Sequence, residues 1–367
     1  MQIIKASRDA ILKPLQTVAG IVEKRHTLPI LANVLLRKDG ETVSFIGTDV
    51  EIQVQTRAAI GSGAESAAVT VSARKLMDIL RALPESEVTV ALNGTRLAVT
   101  AGKSRFALQT LPAADFPTIA VGTEVTAQAT LTQKQLRHLL QMVHFAMAQQ
   151  DIRFYLNGLL LVMSPQGIRS VATDGHRLAF CAHAGETASA PAEVIMPRKT
   201  VTELLRLLGD NEEPVLVQVI SHQIRISFGE VEFVTKLVEG KFPDYQRVIP
   251  TGYSKAIAIN REQFASALSR ASILTNEKFK GVRLSLGPSL LKIQSSNAEQ
   301  EEATEELDVD YNDTPLEIGF NVSYLLDVLA NLKVDLIKAE FGDSNSSALI
   351  SLPGDETFKY VIMPMRI

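Results

Sequence analysis

Apolar residues recur at helical spacing in three separate stretches of the chain. In each stretch, three apolar residues at positions i, i+4 and i+7 define one face of a predicted helix. Pro14 lies inside the first pattern; a proline is tolerated in the first turn of a helix but kinks it farther along, so the pattern leaves the start and the straightness of this helix open. The three faces are Ile11-Leu15-Val18, Leu136-Leu140-Val143 and Phe264-Leu268-Ala271. Each helix is therefore amphipathic, and we expect it to pack this face on a sheet.

β-rich sequence follows each of these helices. The stretches are LPILANVLLRKDG, YLNGLLLVMSPQG and VRLSLGPSLLKIQSS. Turn residues interrupt them at Asp39-Gly40, Pro165-Gln166-Gly167 and Gly287-Pro288, which predicts hairpins. A short strand over Gln2–Lys5 precedes the first helix, and Ser7 or Asp9 is placed to cap it.

The segment from Val194 to Pro250 has counterparts earlier and later in the chain. VIMPRKTVTELLRLL resembles VTVSARKLMDILRALP, and the basic pair Arg198-Lys199 stands where Arg74-Lys75 stands. A Phe-Pro turn follows in both copies, and IGFNVSYLLDVLANL repeats the strand-to-helix pattern near the C-terminus. A period this long exceeds that of solenoid repeats. It indicates tandem copies of one domain.

We therefore predict an α+β fold with three tandem domains, each built from two halves. Each half contains a strand, a helix and about three further strands. Loose stretches at Ile119–Thr126 and Pro250–Lys255 mark the boundaries, which gives domains over residues 1–122, 127–250 and 254–367. The six halves are expected to start near Gln2, Val69, Ala127, Val194, Ala256 and Leu316.

Composition narrows the functional classes. With 367 residues, the chain is long enough for several cores, and its net charge of −4 argues against holding nucleic acid by overall attraction. The single cysteine, Cys181, excludes a disulfide framework. No apolar run reaches the ~20 residues of a membrane span, and the N-terminal residues do not look like a signal peptide. We expect a cytoplasmic protein without a cofactor.

Three local patterns suggest chemistry, and each has a simpler interpretation. Asp174 and His176 lie close enough for general-base catalysis, but Asp-Gly is also a common turn. Gly102-Lys103-Ser104 resembles the end of a P-loop, yet Leu97 occupies the position of the first glycine and strand-like sequence follows. The histidine spacing does not match a metal-binding motif.

Opposite charges cluster in the first and third repeats. The stretch Glu299–Glu306 holds five glutamates in eight residues, while three basic residues lie in one predicted strand pair of the first repeat. A solvated loop would explain the acidic run equally well. If the charges instead meet between two copies, head-to-tail contacts close a ring. The interface residues we predict are Arg96, Lys103, Arg105, Phe106, Leu108, Ile273, Leu274, Glu299, Glu301, Glu302 and Glu305.

Basic side chains recur on predicted helix faces and in loops. Lys13, Arg137, His138, Arg206 and Arg270 lie on outer helix faces, which favours a shared basic surface or simply solvated cations. Further basic residues occur in predicted loops and at helix ends. Such groups contact phosphates without reading bases. These segments are Lys24-Arg25-His26, Arg74-Lys75, Arg153 and Arg198-Lys199.

Nine stretches in chain order resemble the bacterial DNA polymerase III beta subunit family, the replicative sliding clamps. They are TLPIL, GTDVE, SRFALQTLPAADFP, QQDIRFYLNG, ATDGHRLA, GKFPDYQRVIP, NEKFKGVRL, IGFNVSYLLDVL and VIMPMRI. The resemblance implies three clamp domains and a head-to-tail homodimer, closed into a ring with helices inside and sheets outside. It also implies sequence-independent, topological binding of double-stranded DNA.

The resemblance further implies two sets of site residues. Residues facing DNA are Arg25, Arg74, Gln150, Arg153, Phe154, Tyr155, Arg198 and Lys199. A pocket for short peptide motifs of the polymerase III alpha subunit, the clamp loader, other polymerases and repair proteins comprises Thr173, Gly175, His176, Arg177, Leu178, Pro243, Arg247, Val248, Phe279, Asn321, Tyr324, Val361, Met363, Pro364 and Met365. We expect His176, Arg177 and Asn321 to form polar rims around apolar walls. The alternative for the C-terminal residues is that they only complete a core strand.

Three positions depart from the family pattern. Phe154 lacks the hydroxyl of the tyrosine common there, Asn345 is more polar than expected beside the pocket, and Ile367 replaces a common leucine. Three functions therefore stand in competition: a non-catalytic processivity ring, an enzyme using Asp174 and His176, and a sequence-specific DNA-binding protein. The last lacks a helix-turn-helix or zinc-finger signature.

Overall fold

A computed structural model describes residues 1–22, 28–84, 86–185 and 188–366. Within these residues one module occurs six times, and each module consists of a strand, an α-helix and three further strands. The first strand of every module begins within two residues of a start predicted from the sequence. The predicted α+β repeat is therefore confirmed.

Modules 1 and 2 cover the first repeat. Their elements are β1 (Gln2–Ser7), α1 (Arg8–Ala19), β2 (Asn33–Asp39), β3 (Thr42–Thr48), β4 (Ile52–Ala59), β5 (Ala67–Ser72), α2 (Ala73–Ala82), β6 (Glu87–Asn93), β7 (Arg96–Ala101) and β8 (Ser104–Leu111).

Modules 3 and 4 cover the second repeat. Their elements are β9 (Ala127–Thr132), α3 (Gln133–Gln141), β10 (Gly158–Ser164), β11 (Gly167–Thr173), β12 (Arg177–Ala184), β13 (Ala192–Pro197), α4 (Arg198–Leu207), β14 (Pro214–Ile220), β15 (Gln223–Phe228) and β16 (Val231–Lys236).

Modules 5 and 6 cover the third repeat. Their elements are β17 (Lys255–Asn260), α5 (Arg261–Ala271), β18 (Gly281–Gly287), β19 (Leu290–Ser296), β20 (Glu302–Asp308), β21 (Leu316–Asn321), α6 (Val322–Asn331), β22 (Leu336–Phe341), β23 (Ala348–Leu352) and β24 (Asp355–Ile362).

Polar residues between strand and helix start the helices. The side-chain oxygens of Ser7, Ser72 and Asn260 accept hydrogen bonds from backbone N–H groups of the first turn, at 3.4, 3.4 and 3.0 Å. Such caps satisfy donors that the helix cannot pair internally. Pro14 lies inside α1, which runs unbroken from Arg8 to Ala19. The prediction of Ser7 as a cap is confirmed.

The predicted apolar helix faces form the cores. The faces of α1, α3 and α5 are all at most 2% exposed, including Ile11, Leu140 and Phe264. Helix α1 packs against α2 and strands β3 and β4, and helix α5 packs against α6 and strands β19 and β20.

First strands are exchanged between the two modules of a repeat. β1 pairs with β6 of the next module, while β5 pairs back with β2. The same exchange links β9 with β14 and β17 with β22. Each repeat is thus held together by its backbone hydrogen bonds as well as by its core.

The chain forms two compact units. Unit 1 comprises Met1–Leu136, Ala188–Ala192 and Glu203–Leu237, and its twelve strands form one sheet in the order β1-β6-β7-β8-β5-β2-β3-β4-β16-β15-β14-β9. Unit 2 comprises Arg137–Thr187, Glu193–Thr202 and Val238–Ile367, with an eight-stranded sheet, β13-β10-β11-β12-β24-β23-β22-β17, and a four-stranded sheet, β20-β19-β18-β21. These units differ from the three predicted domains because strand pairs β4–β16 and β12–β24 cross the predicted boundaries. The boundaries stay a prediction.

Candidate functional site

The loop between β11 and β12 is a tight turn held by its own polar side chains. The Thr173 hydroxyl donates to the Arg177 carbonyl at 2.6 Å and accepts from the Gly175 N–H at 3.1 Å. Asp174 Oδ1 accepts from the backbone N–H groups of His176 and Arg177, at 2.9 and 3.0 Å. Asp174 therefore orders the turn, and these contacts do not join it to the His176 ring as a catalytic dyad requires.

Arg177 fixes this turn to helix α6. Its guanidinium binds the Asp174 carboxylate at 3.1 Å and the Asp327 carboxylate, and it donates to the Phe145 carbonyl at 2.8 Å. It also lies over the Tyr324 ring, 4.4 Å from the centroid. The side chain is only 9% exposed.

The role of Arg177 in a polar rim of the pocket stays a prediction, and within the chain these partners already bind its guanidinium. Burial alone would lower the pKa of Arg177, but Tyr360, Asp327 and Asp174 outweigh it and hold the pKa above its usual value. Arg177 is an internal support for the site rather than a surface cation.

The C-terminal strand brings distant parts of the sequence to this turn. β24 pairs with β12, with Val361 opposite Leu178. Beyond the strand, the Met363 N–H donates to the His176 carbonyl and the Met365 N–H to the Gly319 carbonyl, both at 2.9 Å. The turn, the C-terminal residues and β21 therefore lie together, and their joint role as a pocket stays a prediction.

The floor of this site is apolar and its surroundings are open. Leu178 and Val361 are 3% and 1% exposed and pack with Phe242, Tyr245 and Val248 in one cluster. Two predicted pocket residues of the same unit expose apolar side chains, since Met363 is 45% and Phe279 56% exposed.

The remaining predicted pocket residues are more polar or more exposed. The His176 ring stacks on Tyr324, 6.4 Å between centroids. Asn321 accepts from the Ser323 N–H at 2.9 Å, so its oxygen caps α6. Pro243 and Arg247 are exposed, Pro364 and Met365 are half-buried, and Arg247 pairs with Asp244 at 2.9 Å.

The loop before β10 reaches the turn through Arg153. The Arg153 guanidinium binds both oxygens of the Asp151 carboxylate, at 3.0 and 2.8 Å, and donates to the Asp174 carbonyl at 3.1 Å. These bonds lower the pKa of Asp151 to about 2. Gly175 has φ +90°, and a Cβ there would lie 3.0 Å from an Arg153 nitrogen. Both features keep this arginine close to the turn.

The other residues predicted to face DNA occupy varied settings. Arg74 is the second residue of α2 and is 72% exposed beside Asp78. Arg198 starts α4 and donates to the Met147 carbonyl at 3.0 Å, and burial lowers its pKa. Phe154 is 57% exposed. The rest are placed as follows: Lys199 is in α4, Gln150 is exposed in the loop, Tyr155 packs on the apolar cluster, and Arg25 lies outside the described residues.

Some of the recurring helix cations are already paired. Arg206 binds Glu203 at 2.8 Å and donates to the Thr17 carbonyl at 2.8 Å. Arg270 forms a two-point ion pair with Glu305 of β20. The basic helix surface expected from the sequence is therefore weaker than the number of its cations indicates.

The predicted interface residues lie in or near two strands, β8 in unit 1 and β20 in unit 2. In unit 1, Arg96 is in β7, Lys103 is in the hairpin turn, and β8 carries the other three. In unit 2, β20 carries most of the acidic run, and Ile273 beyond α5 is 76% exposed. Among the described residues, β20 pairs only with β19, and β8 has β7 along one side with β5 beside its last two residues. Placements of the remaining members are Phe106 and Leu108 in β8, Leu274 after α5, and Glu299, Glu301, Glu302 and Glu305 in or before β20.

Three residues that hold the predicted site residues in place were not predicted from the sequence. Asp327 and Phe145 hold Arg177, and Asp151 holds Arg153. Asp327 had a usable signal, because it is the one acidic residue in the otherwise apolar helix VSYLLDVLAN. Over the described parts of the chain, three or more metal-binding side chains do not come together, and every helix is too short or too polar to cross a membrane.

Comparison with known proteins covers the whole chain. Models of the DNA polymerase III beta subunit match residues 1–120 (N-terminal domain), 130–244 (central domain) and 246–366 (C-terminal domain). The beta sliding clamp of Pseudomonas putida is 49% identical over 367 residues, and that of Escherichia coli K12 is 46% identical over 361, each alignment covering 98% of both chains.

Solved structures agree with the sequence comparison. A DNA polymerase sliding clamp from Pseudomonas aeruginosa has a TM-score of 0.96 at 47% identity, and a sliding clamp of that species bound to griselimycin has 0.96 at 48%. Both alignments cover 100% of each chain. The chain therefore belongs to the family of the DNA polymerase III beta subunit, the sliding clamps.

Proposed function

We propose that this protein encircles duplex DNA as a head-to-tail homodimeric ring and tethers the replicative polymerase and other partners to it. Sliding clamps are non-catalytic processivity factors, so the chain acts by binding rather than by catalysis. The single observation that carries the ring is a pair of strand edges that are open within the described residues: the side of β20 away from β19, and the part of β8 before its short pairing with β5.

The internal strand pairs indicate how these edges meet. In unit 1, the last strand of module 1, β4, pairs antiparallel with the last strand of module 4, β16. In unit 2, the last strand of module 3, β12, pairs in the same way with that of module 6, β24. By the same rule, β20 of module 5 pairs with β8 of module 2 in a second copy. Two copies joined twice in this way leave neither edge open.

The internal pairs also give the register of the new one. In both internal pairs, a residue of the odd module lies opposite an aromatic residue of the even module at equivalent strand positions. The two pairs are Val54 with Phe233 and Ala179 with Tyr360. Following the strand registers through each module, the equivalent residues are Ala303 in β20 and Phe106 in β8. We infer that these two lie opposite each other across the interface.

This register matches opposite charges. It places Lys103 opposite Glu306 and Arg105 opposite Thr304, with Glu302 and Glu306 diagonal to Arg105 on the same face. Opposite and diagonal neighbours on one face of an antiparallel pair interact. Exposed pairs of this kind contribute only about 0–1 kcal/mol each. They select the register, while backbone bonds and apolar contacts supply most of the affinity.

A cysteine pair tests the register. Opposite residues have Cα atoms about 4.5–5.5 Å apart, within disulfide range. We expect Arg105→Cys with Thr304→Cys to form covalent dimers on mild oxidation. Burial raises the pKa of the native Cys181 thiol to about 12, so this thiol stays protonated and does not compete. Arg105→Cys with Glu305→Cys is the control, because residue 305 points to the opposite face; equal cross-linking of both variants would contradict the register.

Apolar contacts at the same interface provide a second test. Ile273 is 76% exposed in one copy and would become covered in the dimer. Removing the side chains of Ile273 and Leu274 together should cost roughly 2–5 kcal/mol each if both are buried there. We expect the double alanine variant to be mostly monomeric in light scattering, whereas an unchanged dimer mass would contradict the interface.

The ring holds DNA by topology, supported by weak phosphate contacts. Arg74 is exposed at a helix N-terminus, where backbone N–H groups also favour anions. Arg153 and Arg198 are partly engaged by protein groups, so their contacts to DNA are expected to be modest. Weak contacts allow sliding, and they weaken further with salt.

Loading on circular DNA distinguishes a ring from other DNA-binding proteins. The protein is loaded on nicked circular DNA, which is then linearised. We expect it to remain on the circle and to leave the linear form, whereas a sequence-specific protein would remain on both. Arg74→Gln with Arg153→Gln should weaken binding to open DNA equally across base sequences, with a shallower salt dependence.

The site beside the turn is suited to short peptides of replication and repair proteins. Its floor is apolar, and methionines beside it can adapt to different side chains. Burying a leucine and a phenylalanine contributes about 3–6 kcal/mol before the cost of ordering the peptide. Micromolar affinity per site follows, so the polymerase III alpha subunit, the clamp loader and other polymerases could exchange on one ring. We place the protein with this machinery in the cytoplasm.

Truncation tests the peptide site separately from the ring. Deleting residues 363–367 removes Met363, Met365 and their backbone bonds to His176 and Gly319. We expect an intact dimer by light scattering that no longer binds a fluorescent peptide carrying leucine and phenylalanine anchors. Unchanged peptide affinity would contradict this assignment.

A further inference from the structure

A second pocket lies next to the proposed peptide site on the same face of the eight-stranded sheet. It is a cavity of about 490 Å³ between strands β11, β12 and β24 and the segment 245–251. Phe180 and Lys359 are opposite each other at this pocket, just as Leu178 and Val361 are at the peptide site. Residues two apart in a strand share a face, so the pocket begins roughly 7 Å farther along the same two strands.

The walls of this pocket combine an apolar surface with cations. The Phe180 and Tyr245 rings lie 6.0 Å apart at 30°, and Ile249 completes the apolar part. Phe180, Tyr245 and Ile249 belong to the same apolar cluster as Leu178 and Val361, so the two sites share a continuous floor.

The charges around the pocket favour an anionic ligand. Arg169 and Lys359 line it, and within the described residues neither is engaged in an ion pair. Glu356 and His183 also line the cavity. Glu356 is exposed, and among the lining residues it is the one carboxylate against the two cations Arg169 and Lys359.

We propose that this pocket extends the peptide site and binds an apolar side chain next to an acidic residue of the same partner peptide. The inference rests on the proposed peptide-binding function. A peptide that leaves its anchors over Leu178 and Val361 and continues along β12 and β24 meets Phe180, Tyr245 and Lys359 next. Partners that carry the extra residues therefore bind more tightly than partners with the anchors alone.

Three synthetic peptides test the extension. The core peptide carries only leucine and phenylalanine anchors, and the extended peptides add Asp-Phe-Asp at either its N-terminal or its C-terminal end. Affinities are measured by fluorescence anisotropy at low salt. We expect one of the two extended peptides to bind about tenfold more tightly than the core peptide, which corresponds to about 1.4 kcal/mol.

Charge variants test whether the two cations of this pocket cause the tighter binding of the extended peptide. Arg169→Gln with Lys359→Gln should abolish this gain in affinity and leave the affinity for the core peptide unchanged. The control is Arg283→Gln with Lys292→Gln, which changes the net charge equally on the other sheet of the same unit and should preserve the gain.

The outcomes separate the extension from the function on which it rests. A core peptide that fails to bind the unmodified protein overturns the proposed peptide function and the extension with it. A core peptide that binds without any gain from either extension overturns the extension alone. So does a gain that persists in the Arg169 and Lys359 variant, or one that is lost equally in the control.

Discussion

The loops Thr48–Ile52 in unit 1 and Thr173–Arg177 in unit 2 have the same internal hydrogen bonds. In each, the threonine hydroxyl donates to the carbonyl four residues on, at 2.8 and 2.6 Å, and accepts from the N–H two residues on, at 3.1 Å in both. The aspartate Oδ1 accepts from the N–H groups two and three residues on, at 3.0 and 2.7 Å in the first loop and 2.9 and 3.0 Å in the second. The two loops are copies of one turn.

The side chains that differ carry the chemistry. Ile52 is a buried apolar residue, whereas the equivalent Arg177 joins two aspartates and a carbonyl. Val50 adopts φ 70°, and the equivalent Gly175 adopts φ 90° with Arg153 beside it. Asp174 and His176 therefore resemble a catalytic pair only in sequence. Asp49 makes the same backbone hydrogen bonds in the loop Thr48–Ile52, which contains no histidine.

The largest effect is expected from Arg177→Met. This change leaves the Asp174 carboxylate, which is 16% exposed, and the half-exposed Asp327 carboxylate without their shared cation. Breaking a buried pair in this way should cost about 3–5 kcal/mol. Urea denaturation followed by circular dichroism measures the loss.

The matched change in the first loop is Ile52→Val, which removes one methylene from a residue that is 1% exposed. We expect a loss of about 1 kcal/mol. If Arg177→Met costs no more than Ile52→Val, Arg177 is not the internal support that its contacts indicate.

A smaller effect is expected from exchanging the residues with positive φ. Gly175→Ala places a Cβ 3.0 Å from the Arg153 guanidinium in a conformation that favours glycine. We expect a cost of about 1–3 kcal/mol and a displaced arginine. Val50→Gly relieves a β-branched residue at positive φ and should change stability by less than about 1 kcal/mol, since glycine also loses more backbone entropy. Thermal unfolding of both variants tests whether positive φ strains a side chain at residues 50 and 175. A Gly175→Ala variant that is more stable than the unmodified protein would refute strain at residue 175.

The repeat made the fold predictable from the sequence. Apolar spacing, hairpin turns and the strand-to-helix pattern recur, so errors in one copy are corrected by the others. The exchange of first strands, such as β1 pairing with β6, was not predictable in this way. This exchange depends on pairing between strands that are far apart in the sequence. The apolar pattern of a first strand would suit pairing within its own module equally well.

The site was predictable in position more than in role. Residues near Gly175, Tyr324 and Met363 were expected to converge, and they do. The burial of Arg177 was not expected, because its partner Asp327 is 150 residues away and gains meaning only once α6 lies beside the turn. Comparing TDVEI with TDGHR at the repeat period would have revealed the shared turn.

A third prediction tests whether the two turns are equivalent in energy. Thr48→Val and Thr173→Val each remove one hydroxyl that makes two hydrogen bonds inside the loop. A net cost of about 1–2 kcal/mol is expected for each, because a buried carbonyl and N–H lose their partner. Urea midpoints of the two variants should agree closely, and a large difference would show that other contacts hold one of the loops.

The smallest effect concerns Asp151, whose partner has no counterpart in the first loop because the position equivalent to Arg153 is Leu28. The Arg153 guanidinium lowers the pKa of Asp151 to about 2, below the usual value of about 3.9. A depressed carboxyl pKa stabilises the folded state above the unfolded pKa, and this contribution is lost as the pH falls through about 2.

Carboxyl NMR should therefore find Asp151 still ionised at about pH 3 in the unmodified protein. In Arg153→Gln the midpoint should return toward the usual value, while Arg153→Lys, which lacks the two-point geometry, should fall between them. An unchanged midpoint in Arg153→Gln would mean that the backbone of the loop, rather than the arginine, holds Asp151 ionised.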